Sequence, residues 1–276
     1  MKNKLSDSVR PELVEGRASK PLKFSANLSM LFSEFELIDR FQAAKACGFD
    51  AVEIQFPYSV HPEIMAGLLA EQQLKLVLFN VAAGDLLQGG EGLASVPEKK
   101  EQFEDAITQA VAYAHYVKPE AINILPGRCL DKRQKSRYLE TFKENLLLAA
   151  DTLAPLRIKA VFEAINTYDM PDFLVYSGKQ MLSIVKQLKH PNLFMQYDIY
   201  HMHRMGENTA DFIARHADKI GHIQFADCPG RGQPGTGEID FQQFFSVIEN
   251  SNYSGWCGAE YKPVEASCDS FGWLSK

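Results

Sequence analysis

The sequence has few of the features that mark a secreted or membrane-embedded protein. Its 5 cysteines are widely spaced and never form a C-x-x-C pair, so the pattern predicts neither a disulfide framework nor a zinc ribbon. No apolar run reaches the roughly 18 residues that a membrane-spanning helix needs. The amino terminus is too polar for a signal peptide. We therefore expect a protein of the reducing cytoplasm without a membrane partner.

The chain also lacks the marks of a protein that binds nucleic acid or nucleotides. Its formal net charge is -6, whereas nucleic-acid-binding surfaces usually show a basic excess. No segment has the spacing of the phosphate-binding loop G-x-x-x-x-G-K-[ST]. The turn after the first strand-like run, SANLSM, has no glycine, which argues against a doubly wound nucleotide-binding sheet. We therefore expect no nucleic-acid partner.

The 276 residues, of which 46% are hydrophobic, are enough for one large α/β domain and hardly enough for two. Residues 1–22 are charged, poor in aromatic side chains and interrupted by Pro11, Gly16 and Pro21, so they have no face that could join a core. The composition predicts a disordered extension at residues 1–22, removable without loss of activity, followed by one domain at residues 23–276.

From Lys23 onward, short strand-like runs alternate with helical patterns. The runs are KFSANLS, AVEIQF, LKLVLFN, AINIL, RIKAVFE, LFMQY, IGHIQF and WCGAEYK. Helices are predicted at residues 34–47, 62–73, 97–116, 131–153, 179–188, 208–216 and 241–251, with a weaker pattern at 270–274. Strict alternation favours parallel pairing, and eight such units predict a single-domain (β/α)8 TIM barrel. The doubly wound open sheet is the alternative.

Each of the last four strand-like runs carries or precedes a polar side chain near its end: Glu163, Asp198, Gln224 and Glu260. In a TIM barrel, all four would meet at the carboxyl-terminal face, where active sites lie. One such residue alone is usually a helix cap or a surface charge, but the recurrence is unusual. Three buried carboxylates would repel one another, and a divalent cation would resolve this. Oxygen ligands without a thiolate favour Mg²⁺ or Mn²⁺ over Zn²⁺.

Several cationic or imidazole side chains are candidates for binding a substrate. His201 follows Asp198 by three residues and could donate a hydrogen bond to a substrate oxygen, although a packed imidazole is an equally good interpretation. Arg231 lies in the loop CPGRGQPGTGE and could pair with a carboxylate through two parallel hydrogen bonds. Arg128 is a second arginine candidate, and Lys262, two residues after Glu260, is a third cation.

Two further polar residues lie within strand-like runs. Glu53 in AVEIQF is interpreted as a residue that orients a ligand or the substrate, or as one that makes an interior hydrogen bond. His222 precedes Gln224 by two residues and faces the same side of its strand, deeper in the barrel, where we expect a structural role.

With these residues in view, the sequence resembles the hydroxypyruvate isomerase family, a branch of the xylose-isomerase-like barrels. The matching segments are FSANLSMLF, GFDAVEIQFPY, AAGD, FEAIN with the following DMP, QYDIYHM, KIGHIQFAD, PGRGQPGTGEI and GWCGAEYKP. The resemblance places the family's metal ligands on Glu163, Asp198, Gln224 and Glu260, and it assigns the proton transfers to the two glutamates. FEAIN departs from the family, which usually has a proline in this motif, but no ligand is lost.

The resemblance implies interconversion of hydroxypyruvate and 2-hydroxy-3-oxopropanoate, with a small hydroxy or oxo acid as substrate. Such a shift needs a base, an acid and a cation that holds the enediolate charge. A 2-oxo-tetronate isomerase is the nearest alternative. A non-catalytic barrel that binds sugar acids would leave the paired glutamates unexplained. An endonuclease for abasic DNA would need a histidine-rich zinc site and a basic groove. The sequence leaves open whether the chain forms a homo-oligomer.

Overall fold

Eight parallel strands close into a barrel in the computed structural model, which describes residues 21–274. Each strand pairs with the next along the chain, and β1 pairs with β8, so the sheet has no free edge. The strands are β1 Phe24–Asn27, β2 Ala51–Ile54, β3 Lys75–Asn80, β4 Ala121–Asn123, β5 Lys159–Glu163, β6 Leu193–Asp198, β7 Ile220–Phe225 and β8 Cys257–Ala259. The prediction of a (β/α)8 barrel is confirmed.

Helices connect the strands and pack on the barrel through their apolar faces. They are α1 Arg40–Ala46, α2 Pro62–Glu71, α3 Lys100–Val117, α4 Lys135–Leu153, α5 Gly178–Leu188, α6 Ile199–Arg204, α7 Thr209–His216 and α8 Phe241–Asn250. In α3, for example, Phe103, Ile107 and Ala110 are buried, at the spacing of three to four residues that places side chains on one helical face.

Three helical segments differ from the prediction. The helix expected to begin at residue 34 begins at Arg40, because the Glu34 carboxylate instead accepts hydrogen bonds from the backbone and hydroxyl of Ser267, at 2.9 and 3.0 Å. The weak pattern at 270–274 is replaced by a single 3₁₀ turn at Ser267–Ser270. Helix α6 was not predicted. It follows β6 directly, and Asp198 caps its first turn.

The amino-terminal extension predicted at residues 1–22 lies outside the described residues up to position 20. The described chain begins at Pro21, and Leu22 already packs against the hydrophobic core. One disulfide joins Cys47 at the end of α1 to Cys268, with Cα atoms 5.9 Å apart, a bridge that the cysteine spacing did not predict. The other cysteines of the described chain are free and buried. No helix within residues 21–274 combines the length and apolar character of a membrane span.

Polar side chains gather where the strands end. Asn27, Asn80, Asn123, Glu163 and Asp198 are the last residues of β1, β3, β4, β5 and β6. Because all strands run in the same direction, these ends form a single ring at one mouth of the barrel. The fold therefore brings polar residues that are far apart in the sequence together at one end of the barrel.

Candidate active site

A cavity of about 270 Å³ opens at the carboxyl-terminal mouth of the barrel. Five residues predicted from the sequence line it: Glu163, His201, Gln224, Arg231 and Glu260. Amide side chains form much of the remaining polar lining, namely Asn27, Gln55, Asn80 and Gln196. Apolar side chains, including Phe56, Leu125 and Ile165, complete the wall. A small cavity with many converging polar groups is the usual form of a binding site for a small polar molecule.

The structure does not bring every predicted residue to this cavity. Lys262 lines a separate surface cavity together with Ser29 and Glu34. Arg128 donates a hydrogen bond from Nη1 to the carbonyl oxygen of Gly89, at 3.1 Å, and it does not line the central cavity. Arg231 is therefore the one of these three cations that reaches the cavity.

Glu163, Asp198 and His201 form a group that could hold a metal ion. One ligand atom from each lies within 4.8 Å of the others, and all three residues are buried. Gln224 lies beside this group, since it pairs directly with Asp198 in the β6–β7 register. Within residues 21–274, no other group of at least three His, Cys, Asp or Glu side chains meets this criterion.

The electrostatics of this group fit a divalent cation. Burial, together with the neighbouring charges of Glu260 and Asp198, raises the pKa of Glu163 to about 8. Burial also raises the pKa of Asp198 to about 7, although Arg231 acts in the opposite direction. Carboxylates crowded in a buried position resist ionisation, and a bound cation removes that penalty. The donor set and its electrostatics therefore suit a divalent metal.

The two cavity glutamates have different surroundings. Glu163 accepts one hydrogen bond, from Asn123 Nδ2 at 2.8 Å. Glu260 accepts hydrogen bonds at Oε1 from Asn27 Nδ2 and Gln55 Nε2, at 2.9 and 2.8 Å, and its Oε2 pairs with Arg231 Nη2 at 2.7 Å. Glu260 is thus held by three donors, whereas within residues 21–274 no hydrogen bond is donated to Oε2 of Glu163.

The two carboxylate oxygens of Asp198 have different partners. Its Oδ1 caps α6 by accepting hydrogen bonds from the backbone nitrogens of Tyr200 and His201, at 2.8 and 3.4 Å. Its Oδ2 lies 3.6 Å from His201 Nε2 and 3.8 Å from Arg231 Nη2. The cap therefore fixes the carboxylate with its second oxygen beside His201 and Arg231.

Glu53 organises the barrel interior beneath the cavity. It is fully buried and accepts four hydrogen bonds, from Ser25 Oγ, Asn27 Nδ2, His222 Nε2 and Gln224 Nε2. Burial acts to raise its pKa, but His222 and the donated hydrogen bonds hold that pKa below its ordinary value. Because Gln224 Nε2 is bound by Glu53, its Oε1 is directed away, where it accepts a hydrogen bond from Gln196 at 2.5 Å. Glu53 therefore orients Gln224.

The loop that carries Arg231 is held by one buried carboxylate, that of Asp227. Its two oxygens accept hydrogen bonds from the backbone nitrogens of Cys228, Gly235, Gly237 and Ile239, at 2.8 to 3.1 Å. The backbone nitrogen of Asp227 also donates to the carbonyl oxygen of Gly232 at 2.8 Å. These bonds close the loop on itself and fix the position of Arg231.

Arg231 lines the cavity, and its guanidinium packs on an aromatic ring. Its central carbon is 5.1 Å from the centre of the Tyr200 ring, which is cation–π distance. While Nη2 binds Glu260, the buried Nε has no hydrogen-bond partner within residues 21–274. An unsatisfied buried donor costs free energy, so this nitrogen suits an anionic or carbonyl oxygen of a ligand.

Sequence reasoning missed the amides that support the site: Asn27, Gln55, Asn123 and Gln196. The signal was present, since Asn27 and Asn123 end their strands just as Glu163 does, and Gln55 follows β2 directly. Applying the strand-end criterion to the first four strands would have found these three. Gln196 lies inside β6, and only the closed barrel shows that it faces the cavity.

The fold and site define a TIM barrel with an acidic, candidate metal-binding cavity at the carboxyl ends of its strands. The chain belongs to the xylose isomerase-like TIM barrel family, whose model matches residues 41–276. The family match and the relatives described next confirm the resemblance drawn from the sequence motifs.

Two relatives and one solved structure match nearly the whole chain. The hydroxypyruvate isomerase of Escherichia coli is 42% identical over 92% of this chain and 98% of that protein. The 2-oxo-tetronate isomerase of Pectobacterium atrosepticum is 36% identical over 91% of this chain and 96% of that protein. The crystal structure of an AP endonuclease, family 2, from Brucella melitensis has 32% identity and a TM-score of 0.89, covering 92% of this chain and 98% of that one.

Proposed function

We propose that this protein is an isomerase that interconverts hydroxypyruvate and 2-hydroxy-3-oxopropanoate. The observation that carries the proposal is the presence of two buried glutamates, Glu163 and Glu260, in one small cavity beside Asp198 and Gln224. The relative from Escherichia coli, with 42% identity, has this named activity. A cavity of about 270 Å³ also suits a three-carbon acid.

The chain supplies an acid and a base for the proton shift. One glutamate removes a proton from the hydroxymethyl carbon of hydroxypyruvate, next to the carbonyl carbon, and an enediolate forms. The other glutamate delivers a proton to the former carbonyl carbon, while the hydroxyl proton passes from one substrate oxygen to its neighbour. General acid–base catalysis of this kind contributes roughly 10²–10⁴-fold to the rate.

We propose Glu163, Asp198, Gln224 and Glu260 as the residues that hold a divalent cation, Mg²⁺ or Mn²⁺. These are oxygen donors, which such hard cations prefer. The cation, when bound, supplies positive charge that stabilises the negative charge developing on the substrate oxygens. Arg231 balances part of the negative charge of these carboxylates through its contact with Glu260.

We propose that Arg231 and His201 hold the substrate. Both line the cavity, and Arg231 offers an unpaired Nε to the substrate carboxylate. Lys262, also predicted to bind substrate, lies on a neighbouring surface cavity, and its contribution is to be tested by substitution. Cleavage of abasic DNA is not favoured, because the candidate metal group among residues 21–274 contains a single histidine and the net charge is -6.

The decisive experiment is an assay of the purified chain with hydroxypyruvate and with a four-carbon 2-oxo-tetronate, before and after treatment with a chelator and reloading with Mg²⁺ or Mn²⁺. We expect kcat/KM to be higher for hydroxypyruvate, activity to be lost with the metal, and Glu163→Gln and Glu260→Gln each to abolish turnover. A higher kcat/KM for the four-carbon acid would instead support a 2-oxo-tetronate isomerase. Full activity in both glutamine variants would overturn the proposal.

A further inference from the structure

We propose that Asn166 is a positioning residue that fixes the proton of the His201 imidazole on Nε2, so that His201 serves the cavity as a hydrogen-bond donor and not as a metal ligand. The placement of the proton follows from the hydrogen bonds described below. Its use toward a substrate oxygen rests on the proposed function. His201 lies close enough to Glu163 and Asp198 to be a metal ligand, so these distances do not distinguish a ligand from a hydrogen-bond donor.

The orientation of the Asn166 amide is set by the backbone. Its Oδ1 accepts hydrogen bonds from the backbone nitrogens of Tyr168 and Asp169, at 3.1 and 2.9 Å. A flipped amide would place its NH₂ group against two N–H donors in a fully buried position, which is costly. The Nδ2 atom must therefore point the other way, where Asp169 Oδ2 lies at 2.9 Å and His201 Nδ1 at 2.7 Å.

The Nδ1 atom of His201 must accept this hydrogen bond with its lone pair. Asn166 Nδ2 can only donate, so Nδ1 of His201 accepts and carries no proton. In a neutral imidazole, the proton is then on Nε2. An imidazolium would carry protons on both nitrogens, so a bare Nδ1 also means that the ring is neutral.

The protonated nitrogen faces the candidate metal group and the cavity. Nε2 lies 3.6 Å from Asp198 Oδ2, which is too long for a hydrogen bond, so the N–H is available to a ligand. A nitrogen that carries a proton has no lone pair to coordinate a metal ion. Asp198 and His201 therefore have different roles, although they lie close together. Asp198 can coordinate a metal ion, and His201 can donate a hydrogen bond to an oxygen of the substrate.

The position of the proton can be measured on the metal-free, full-length chain without any activity assay. Long-range ¹H–¹⁵N correlation spectra of ¹⁵N-histidine-labelled protein distinguish protonated from unprotonated ring nitrogens, and His201→Gln identifies the signals of His201 among the 7 histidines. We expect Nε2 to be protonated and Nδ1 to be bare. A proton on Nδ1, alone or together with one on Nε2, would overturn the proposal.

Asn166→Asp tests whether Asn166 sets this state. One carboxylate oxygen can keep the two backbone hydrogen bonds, while the other now accepts from His201 Nδ1. We expect Nδ1 to become protonated and kcat/KM to fall roughly ten- to a hundredfold, as for loss of a directed hydrogen bond. Asp169→Asn is the matched control, because it changes the other partner of the same amide and leaves Asn166 in place. It should keep the wild-type nitrogen pattern.

Two results would contradict the role of Asn166: an unchanged nitrogen pattern in Asn166→Asp, or a changed pattern in Asp169→Asn. These results are independent of the proposed reaction. If the wild-type chain shows the expected nitrogen pattern but does not isomerise hydroxypyruvate, the proton placement holds and the proposed function fails. If the wild-type chain isomerises hydroxypyruvate but carries a proton on Nδ1, the proposed function holds and the proton placement fails.

Discussion

The side-chain nitrogen of Gln224, Nε2, donates a hydrogen bond to Oε1 of Glu53 at 2.7 Å. This contact joins β7 to β2 across the barrel interior and directs the amide oxygen of Gln224 away from Glu53, toward Gln196. Since the nitrogen is occupied by Glu53, the oxygen remains as the potential ligand. Outer partners of this kind are known to set the orientation of metal ligands.

Glu53→Gln should weaken metal binding. A neutral amide replaces one acceptor oxygen by a donor, so at least one of the four groups that now donate to Glu53 loses its partner. We expect the affinity for Mn²⁺ to fall about 10–100-fold. The free energy of unfolding should fall by about 1–3 kcal/mol. Calorimetric titration and urea unfolding measure the two effects. Glu104→Gln, at an exposed position on α3, is the control.

Metal binding should release protons near neutral pH. In the metal-free chain, the pKa of Glu163 is raised from 4.5 to about 8 and that of Asp198 from 3.8 to about 7, so both carry protons for part of the time at pH 7. A divalent cation binds the ionised forms. Affinity should therefore rise from pH 6 to pH 8 and level off above that range. Titration calorimetry in two buffers of different ionisation enthalpy measures the released protons.

The same shift predicts how the stability of the metal-free chain depends on pH. Between the ordinary pKa of 4.5 and the raised value of about 8, the folded chain holds a proton on Glu163 that the unfolded chain does not. The stability gained from protonated Glu163 is fully present below the ordinary value and is lost as the pH rises through the raised one. Glu163→Gln should make this slope shallower and leave the part that Asp198 contributes, and an unchanged slope in that variant would contradict the assignment.

Substitution of Arg231 should impair substrate binding. Arg231→Lys keeps the charge but cannot reproduce a planar pair of hydrogen bonds, so KM should rise. Arg231→Met should lose about 1.5–3 kcal/mol of transition-state stabilisation, or roughly ten- to a hundredfold in kcat/KM. Steady-state kinetics measure both variants, and Arg215→Met, in an exposed ion pair with Asp211, is the control.

The Arg231 series also tests Lys262. Lys262→Met should have nearly wild-type kinetics, because Lys262 lies on a separate surface cavity. If Arg231→Met kept the wild-type kcat/KM and Lys262→Met lost it, we would conclude that Lys262 binds the substrate carboxylate.

The barrel was predictable because strands of a parallel sheet are buried on both faces and therefore read as short apolar runs. The positions of Glu163 and Asp198 followed from the same rule, since a polar residue at the end of such a run lies at the mouth of the barrel. Their placement needed only the local sequence and the direction of the strands. The fold and the acidic residues at the barrel mouth could therefore be predicted from the sequence.

Other features depend on contacts between distant residues, which the local sequence does not show. The first helix begins late because Glu34 binds Ser267, which is 233 residues away. The hydrogen bond from Asn123 to Glu163 joins residues 40 positions apart. Lys262 follows Glu260 closely in the sequence, yet its side chain lines another cavity, because the chain leaves the strand direction after β8. Side-chain direction beyond a strand end is set by such tertiary contacts.

Gly258→Ala in β8 should disturb the site through Glu53 in β2, two strands away. A methyl group at this position in β8 would overlap the carboxylate of Glu53, which passes directly over the Gly258 backbone. Glu53 is fully buried and bound on every side, so it has no room to withdraw. Overpacking in such a setting costs about 1–3 kcal/mol. We therefore expect lower stability and, because Glu53 orients Gln224, weaker metal binding.

Gly67→Ala is the matched control for this substitution. A methyl group at Gly67, inside α2, meets no atom within 4 Å. Removal of a helical glycine should raise stability by about 0.4–1 kcal/mol and leave metal affinity unchanged. Urea unfolding and Mn²⁺ titration of both variants separate the loss of a glycine from the displacement of Glu53. If Gly258→Ala matched the wild-type chain in both measurements, the close approach of Glu53 to β8 would not be what holds Gln224 in place.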